Sequence, residues 1–276
     1  MEKIYRYRDA SLRLSHYIKN FWTIDRTIQT TISREKIIPD GYSELIFHSG
    51  DLFRSNFGGS WVPSDLYLLA GQIRKPYFIE NIGKSKMFGI KFQPWALTEL
   101  FNLDMSKFAH KRVEIPPELR EVLEPVISIA IQELSFDQQV NEMENWFSKF
   151  TSNRKLNTSS GRASIKLILE NKGNISLKQV RNEVGWSERS LERYFNKYVG
   201  LTPKLYLRII RFSTVFELIE KGQNDWADVL FQTGFYDQSH FIKNFKEFAG
   251  DYPTKYKFTE NSLSNNFLRK KNISFL

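Results

Sequence analysis

The spacing of apolar positions changes character near residue 93. Before it, Phe21-Trp22-Thr23-Ile24, Glu44-Leu45-Ile46-Phe47, Leu66-Tyr67-Leu68-Leu69 and Met87-Phe88-Gly89-Ile90-Lys91-Phe92 are short runs rich in apolar, aromatic or β-branched residues. Turn residues separate them at Pro39-Asp40-Gly41, Ser49-Gly50-Asp51, Phe57-Gly58-Gly59 and Asn81-Ile82-Gly83. Short strands at this spacing predict an antiparallel sheet or a barrel-like sandwich. Beyond it the period lengthens to that of helices. One is predicted over Trp95–Phe101, behind Pro94. A second opens at Pro116-Pro117, with Val122, Val126, Ile129-Ala130 and Leu134 on one face. A third covers Asp137–Phe150, burying Val140, Met143, Phe147 and Phe150.

Thr151–Gly161 is polar, rich in Ser, Thr and Asn, and lacks an apolar face, so it reads as a linker. Helical patterning then runs to about Phe258, and a polar, basic tail follows from Thr259, expected to be partly disordered. The predicted organisation is 1–150 as a first domain, 151–161 as linker, 162–258 as a second domain and 259–276 as tail. The fold class is α+β: a β-rich N-terminal domain with helices, then an all-α domain.

That all-α domain contains a repeat. At an offset of 50, Leu191 aligns with Phe241, Arg193 with Lys243, Phe195 with Phe245, Tyr198 with Phe248, Gly200 with Gly250, Pro203 with Pro253 and Tyr206 with Tyr256. Upstream the offset is 49, pairing Ser176 with Asp225, Leu177 with Trp226, Val180 with Val229 and Gly185 with Gly234. Each copy reads as helix, tight turn, helix. Ser176 and Asp225 are N-cap residues of the first helices, and Ser187 and Asp237 of the second. Gly185 and Gly234 suit the left-handed residue that ends a helix. Leu177, Val180 and Val184 form a stripe in one copy, as do Trp226, Val229 and Leu230 in the other. Such a unit presents its second helix, here 187–199 and 237–249, to the major groove.

The outward faces of those helices carry Glu188, Arg189, Ser190, Arg193, Asn196 and Lys197 in the first, and Gln238, Ser239, His240, Lys243, Asn244 and Lys246 in the second. Arg and Lys suit guanine edges and phosphates, and Asn and Gln suit adenine. A solvated helix face has a similar composition, so one copy alone would decide nothing; two copies favour DNA. Between them Thr202–Gly222 reads as a helix with Leu205, Leu207, Ile210, Val215, Leu218 and Ile219 inward. About 20 helical residues span roughly 30 Å, close to the ~34 Å between successive major-groove faces.

Charge follows the same division. Residues 1–150 carry 19 basic and 19 acidic side chains, and residues 151–276 carry 21 and 12, so the net charge of +9 lies wholly in the second part. A basic domain attracts polyanions.

These signatures together resemble the AraC/XylS family of bacterial transcription regulators over about Ala163–Phe258. The resemblance rests on Ile175-Ser176-Leu177, Gly185-Trp186-Ser187, Ser190-Leu191-Glu192-Arg193-Tyr194-Phe195, Gly200-Leu201-Thr202-Pro203 with Tyr206-Leu207 and Arg211, and Gly234-Phe235-Tyr236-Asp237-Gln238-Ser239-His240-Phe241 continuing through Phe245 to Gly250-Asp251-Tyr252-Pro253. It implies sequence-specific binding to promoter DNA. The family usually has alanine where this chain has Arg181 and Leu230; Arg181 must then reach solvent or a phosphate. Upstream, Pro39-Asp40-Gly41 with Glu44-Leu45-Ile46-Phe47, Gly71-Gln72 and Gly89-Ile90-Lys91-Phe92-Gln93-Pro94 resemble a less-characterised domain that often precedes this module. The resemblance implies a half that senses a small molecule or dimerises.

A ligand pocket in that half would draw on Trp22, Tyr42, Glu44, His48, Trp61, Gln72 and Trp95. Core packing is the competing account of each aromatic, and a solvent-facing strand position that of Glu44. Candidate partners are duplex operator DNA, a small-molecule effector, RNA polymerase and a second copy of the chain. An activator that needs no ligand remains the alternative within the same class.

An enzyme fused to a DNA-binding module is disfavoured. With no cysteine there is no thiolate nucleophile, no thiolate metal site and no acceptor for an alkyl group lifted from damaged DNA. The histidines, His16, His48, His110 and His240, lack metal-ligand spacing, and neither a phosphate-binding glycine loop nor a Gly-x-Ser-x-Gly elbow is present. No cofactor or metal is expected. The start Met1-Glu2-Lys3-Ile4-Tyr5-Arg6 lacks the apolar core of a secretion signal, and no apolar run approaches the ~20 residues of a membrane span, so a cytoplasmic protein is expected.

Overall fold

The structure, a computed structural model, describes residues 3–154, 159–220, 226–235 and 237–256. Its first half is an antiparallel sheet of β1 (Lys3–Asp9), β2 (Ile18–Ile37), β3 (Ser43–His48), β4 (Arg54–Asn56), β5 (Val62–Pro63), β6 (Tyr67–Ala70), β7 (Tyr77–Phe92) and β8 (Arg112–Glu114). The order across the sheet is β1-β2-β7-β3-β6-β8, with β4 pairing with β7 and β5. The predicted strands lie within these elements, except that Leu66 falls just before β6. Three features differ from the sequence reading. Strand β1 adds an edge paired along its length with β2. Strand β8 comes after residue 93, among the helices. Asn81-Ile82-Gly83 is no turn: it lies inside β7, where Gly83, at φ 98°, stands opposite Gln29 between two register shifts. A glycine in a strand often marks such a bulge rather than the strand's end.

Alternation along the strands sorts two cores. Phe21, Leu45, Leu69, Phe88 and Ile90 face one side, and Trp22, Ile46, Leu68, Ala70 and Met87 face the other. The first side is covered by α1 (Ala96–Phe101), a 3-10 turn over Met105–Lys107, α2 (Pro117–Val122), α3 (Glu124–Ile131) and α4 (Phe136–Thr151). The helix expected behind Pro116-Pro117 is two helices that break at Leu123, because Pro125 has no amide to continue the ladder. Its buried face is Leu119, Leu123, Val126, Ile127 and Ala130. Val122 is exposed, and Ile129 and Leu134 are only half-buried. In α4, Val140, Met143 and Phe147 are buried, while Phe150 is half-buried and stacks on Trp146 and Phe101.

The helical domain follows as α5 (Ser160–Glu170), α6 (Leu177–Val184), α7 (Glu188–Tyr198), α8 (Pro203–Glu220), α9 (Trp226–Thr233) and α10 (Gln238–Ala249). Helix α4 thus runs one residue into the segment read as linker and α5 begins within it, while residues 155–158 lie outside the described residues. So do Asp225, the expected cap of α9, and the 259–276 tail. No helix of the described residues is long and apolar enough to cross a membrane.

The two halves share one core: the buried cluster on the helix-covered side of the sheet continues without a break to Phe195, Tyr206, Phe212 and Phe245. Polar contacts fasten the joint. Arg162 and Glu99 form an ion pair buried between α5 and α1, Arg154 donates to the carbonyls of Glu99 and Leu100, and Lys36 Nζ donates to the Ala249 carbonyl at 3.1 Å.

Candidate DNA interface and ligand cavity

Local chemistry builds each helix-turn-helix unit. In the first, Ser176 and Gln179 form a reciprocal capping box that starts α6. Gly185, at φ 69°, ends it in the left-handed conformation, and the Ser187 hydroxyl accepts from the Ser190 amide to start α7. In the second, Gly234 takes φ 66° and Asp237 accepts from the His240 amide to start α10. Arg211 of α8 ties the units together: its guanidinium donates to the Gly173 carbonyl at 2.8 and 2.9 Å and to the Gly234 carbonyl at 3.4 Å. Helix α8 packs on both reading helices, through Tyr206 against Phe195 and through Phe212 and Phe216 against Phe245.

Most of the predicted contact residues are exposed in matching positions. Arg189, Arg193, Asn196 and Lys197 are exposed on α7, and Gln238, Ser239, Lys243 and Lys246 on α10. Arg193 and Lys243 occupy equivalent sites, so both helices offer a cation at the same height. The Lys246 ammonium also receives company from the Tyr252 hydroxyl at 3.0 Å, which lowers the phenol's pKa. Glu188 is exposed, but its carboxylate accepts from Arg181 at 2.9 Å. That pair answers where Arg181 goes: it spans α6 and α7. Ser190 is half-buried with its hydroxyl 3.0 Å from that of Ser187, and His240 is half-buried against Phe235.

Asn244 is a correction. It is 2% exposed, its Oδ1 accepts from Arg208 Nε at 2.8 Å, and its amide donates to the His240 carbonyl at 2.7 Å. It stands one turn from both Phe241 and Phe248 and shares their inward face. The offset of 50 aligns it with Tyr194, which is half-buried, so the repeat itself carried the signal. Arg208 and Glu247, an ion pair beside it, were also missed. So was a groove on α7, where Trp186 and the stacked rings of Tyr194 and Tyr198, 4.0 Å apart, lie beside Arg193 and Lys197.

The far side of the sheet encloses a cavity of about 50 Å³. A buried water needs roughly 10–15 Å³ on this measure, so the space suits a few waters or one small molecule. Apolar walls come from Trp22, Ile37, Ile46, Ile73 and Met87, and polar ones from Asp40, Tyr42, Glu44 and Arg112. Lys91, 1% exposed, sits 2.6 Å from Asp40 and 3.3 Å from Glu44. Burial opposes the Lys91 charge, but Asp40, Glu44 and Tyr5 outweigh it and hold its pKa above the usual value. Burial pushes the Glu44 carboxyl up, against the pull of Lys91. Arg112 donates to the Tyr77 hydroxyl at 3.2 Å, and its Nε is buried with no partner among the described residues.

Of the residues proposed from sequence, Trp22, Tyr42 and Glu44 line this cavity. Gln72 is buried beside it, donating to the Gly41 carbonyl at 2.7 Å. Trp61 and Trp95 do not line it. Trp61 lies on the β4–β5 hairpin with the guanidinium groups of Arg34 and Arg54 near its ring, and Trp95 faces the helix-covered core, where its indole donates to the His16 carbonyl. His48 is buried with neither ring nitrogen bonded among the described residues. Among the described residues no three His, Asp or Glu side chains gather as a metal site.

Comparison with known proteins finds two family models on separate parts of the chain. Residues 181–258 match a family described as a helix-turn-helix domain, and residues 8–114 match a domain of unknown function, DUF6597. A 67-residue stretch is 42% identical to YbfI of Bacillus subtilis, an uncharacterized HTH-type transcriptional regulator, and covers 24% of each chain. Another uncharacterized HTH-type regulator, from Haemophilus influenzae, is 22% identical over 137 residues, 50% of this chain and 44% of that one. The chain thus spans less than half the length of the curated relatives it matches. Among solved structures, ToxT from Vibrio cholerae aligns over 91% of this chain and 97% of its own at 11% identity, with a TM-score of 0.47. Residues 181–258 thus match a helix-turn-helix domain and residues 8–114 the DUF6597 domain.

Proposed function

We propose that this protein is a sequence-specific, DNA-binding transcriptional regulator without enzymatic activity. It reads an operator by laying α7 and α10 in successive major grooves. One observation carries the reading: two equivalent, separately capped helices expose Arg193 and Lys243 at the same height on the part of the chain that holds all the excess positive charge. Arg189 and Asn196 on α7, and Gln238 and Ser239 on α10, flank those cations as further groups for base edges and phosphates. Binding selection from a random pool of duplexes tests it. The full chain should enrich one motif whose two halves lie about one helical turn apart. Recovery of unrelated duplexes after several rounds would refute it.

The N-terminal domain, in this reading, takes a small effector into the cavity behind the sheet. The apolar body of the effector meets Trp22, Ile46 and Met87, and its polar end meets Glu44 and the Arg112 Nε, which has no partner among the described residues. A metabolite library screened by thermal melting of the full chain tests this. A ligand of the native state raises the transition, and Arg112→Met should abolish the rise. A rise that survives Arg112→Met would place the ligand elsewhere.

A further inference from the structure

The walls of the cavity are also seats for the DNA-binding domain, and only for part of it. In the loop from Pro39 to Tyr42, Asp40 and Tyr42 line the cavity. Gly41, between them, faces the other way and rests on α8: a Cβ at this residue would overlap Ile210 Cδ1 and lie 3.4 Å from Tyr206. The adjoining strand end does the same for α10. Ile37 and Ile38 line the cavity, while the neighbouring Lys36 donates to the Ala249 carbonyl where α10 ends. On β7, Tyr77 lines the cavity and its neighbour Pro76 lies against Gly250, the residue that caps α10.

The first helix-turn-helix unit is held by other parts. Thr98 of α1 donates to the Lys197 carbonyl, Gly200 abuts the Met105 carbonyl in the 3-10 turn, and Glu99 pairs with Arg162 of α5. None of these residues lines the cavity.

We propose that occupancy of the cavity sets the orientation of α8 and α10 relative to the first unit, so that an effector tunes the second reading helix while the first stays anchored. The inference rests on the cavity being the effector site. Close-packed interiors pass small displacements on rather than absorb them, so a molecule that spreads the wall at Asp40, Tyr42 or Ile37 must shift the residues behind it. The Tyr206 hydroxyl is buried on α8 with no partner among the described residues, facing Tyr42 and Asp40, whose charges together with burial hold its pKa well above normal.

The absence of cysteine makes paired spin labels straightforward. Labels at the exposed positions Glu142→Cys in α4 and Asn182→Cys in α6 report the first unit, and Glu142→Cys with Gln232→Cys in α9 report the second. In the full chain, Ala70→Leu fills the cavity from the β6 side. Pulsed electron-paramagnetic-resonance distances should shift or broaden by about 1–2 Å or more for the second pair and stay fixed for the first. Lys36→Met, which leaves the cavity intact and removes one seat of α10, should broaden the second pair alone, and it decides the matter if Ala70→Leu does not fold. Distances that stay fixed in both pairs, or move equally in both, overturn the proposal. These distances are read without DNA, so a chain that selects an operator but shows no such shift loses only the coupling.

Discussion

Arg193 and Lys243 occupy equivalent, exposed positions, but Asn244, one residue on from Lys243, belongs to the interior. The two kinds of residue should fail differently. Arg193→Ala and Lys243→Ala should each weaken operator binding by ~1–3 kcal/mol, with melting unchanged. Asn244→Ala removes the acceptor of Arg208 Nε and should lower unfolding free energy by about 1–3 kcal/mol in a denaturant titration. A loss of DNA affinity without a loss of stability would instead make Asn244 a reader of bases. His48 gives a pH signature. Burial, helped by Arg112, lowers its pKa to about 3. In the unfolded chain it takes a proton near pH 6.5, so below that value protons favour the unfolded state, and stability falls as pH drops from about 6.5 towards 3. The loss should reach about 2 kcal/mol by pH 5, and His48→Phe should flatten it. Equal slopes for the two proteins between pH 5 and 7 would contradict the assignment. None of this was legible at His48, since a strand histidine facing a closed core looks in sequence like one facing solvent.

The elements most legible in the sequence were those whose ends are written in side-chain chemistry. Ser176, Ser187 and Asp237 cap helices and Gly185 and Gly234 end them, as their residue types and spacing imply. Gly234→Val therefore carries a double penalty. Its φ of 66° excludes a β-branched residue, and a Cβ would overlap the Asn174 side chain. The variant should melt at lower temperature, losing several kcal/mol, and should retain only weak DNA affinity; unchanged cooperative melting would contradict the turn's geometry. The sheet was less legible. Gly83 has the residues of a turn around it, yet β7 runs through it, because pairing with β2 before and after it fixes the backbone more strongly than local preference. The break at Pro125 was hidden by an apolar stripe that continues across it in the sequence.

At the scale of the whole molecule, the joint between domains left no local trace. Lys36 meets Ala249, Gly41 meets Ile210 and Glu99 meets Arg162 across separations that no periodicity spans, and no residue of these pairs names its partner. The cavity was half legible. Trp22, Tyr42 and Glu44 belong to it, whereas Arg112, on a strand that follows the first helices, could not be grouped with them before the pairing of β6 and β8 was known. What the sequence expressed most fully was the charge division and the twin units, and these bear the functional account. The most direct test is the affinity of the full chain for its selected operator and for a shuffled duplex, measured by fluorescence anisotropy across a series of salt concentrations. The account predicts that the operator binds at least ~10³-fold more tightly and that log affinity falls linearly with log salt, by about 0.9 for each phosphate contacted. Equal affinities for both duplexes, with no dependence on salt, would contradict it.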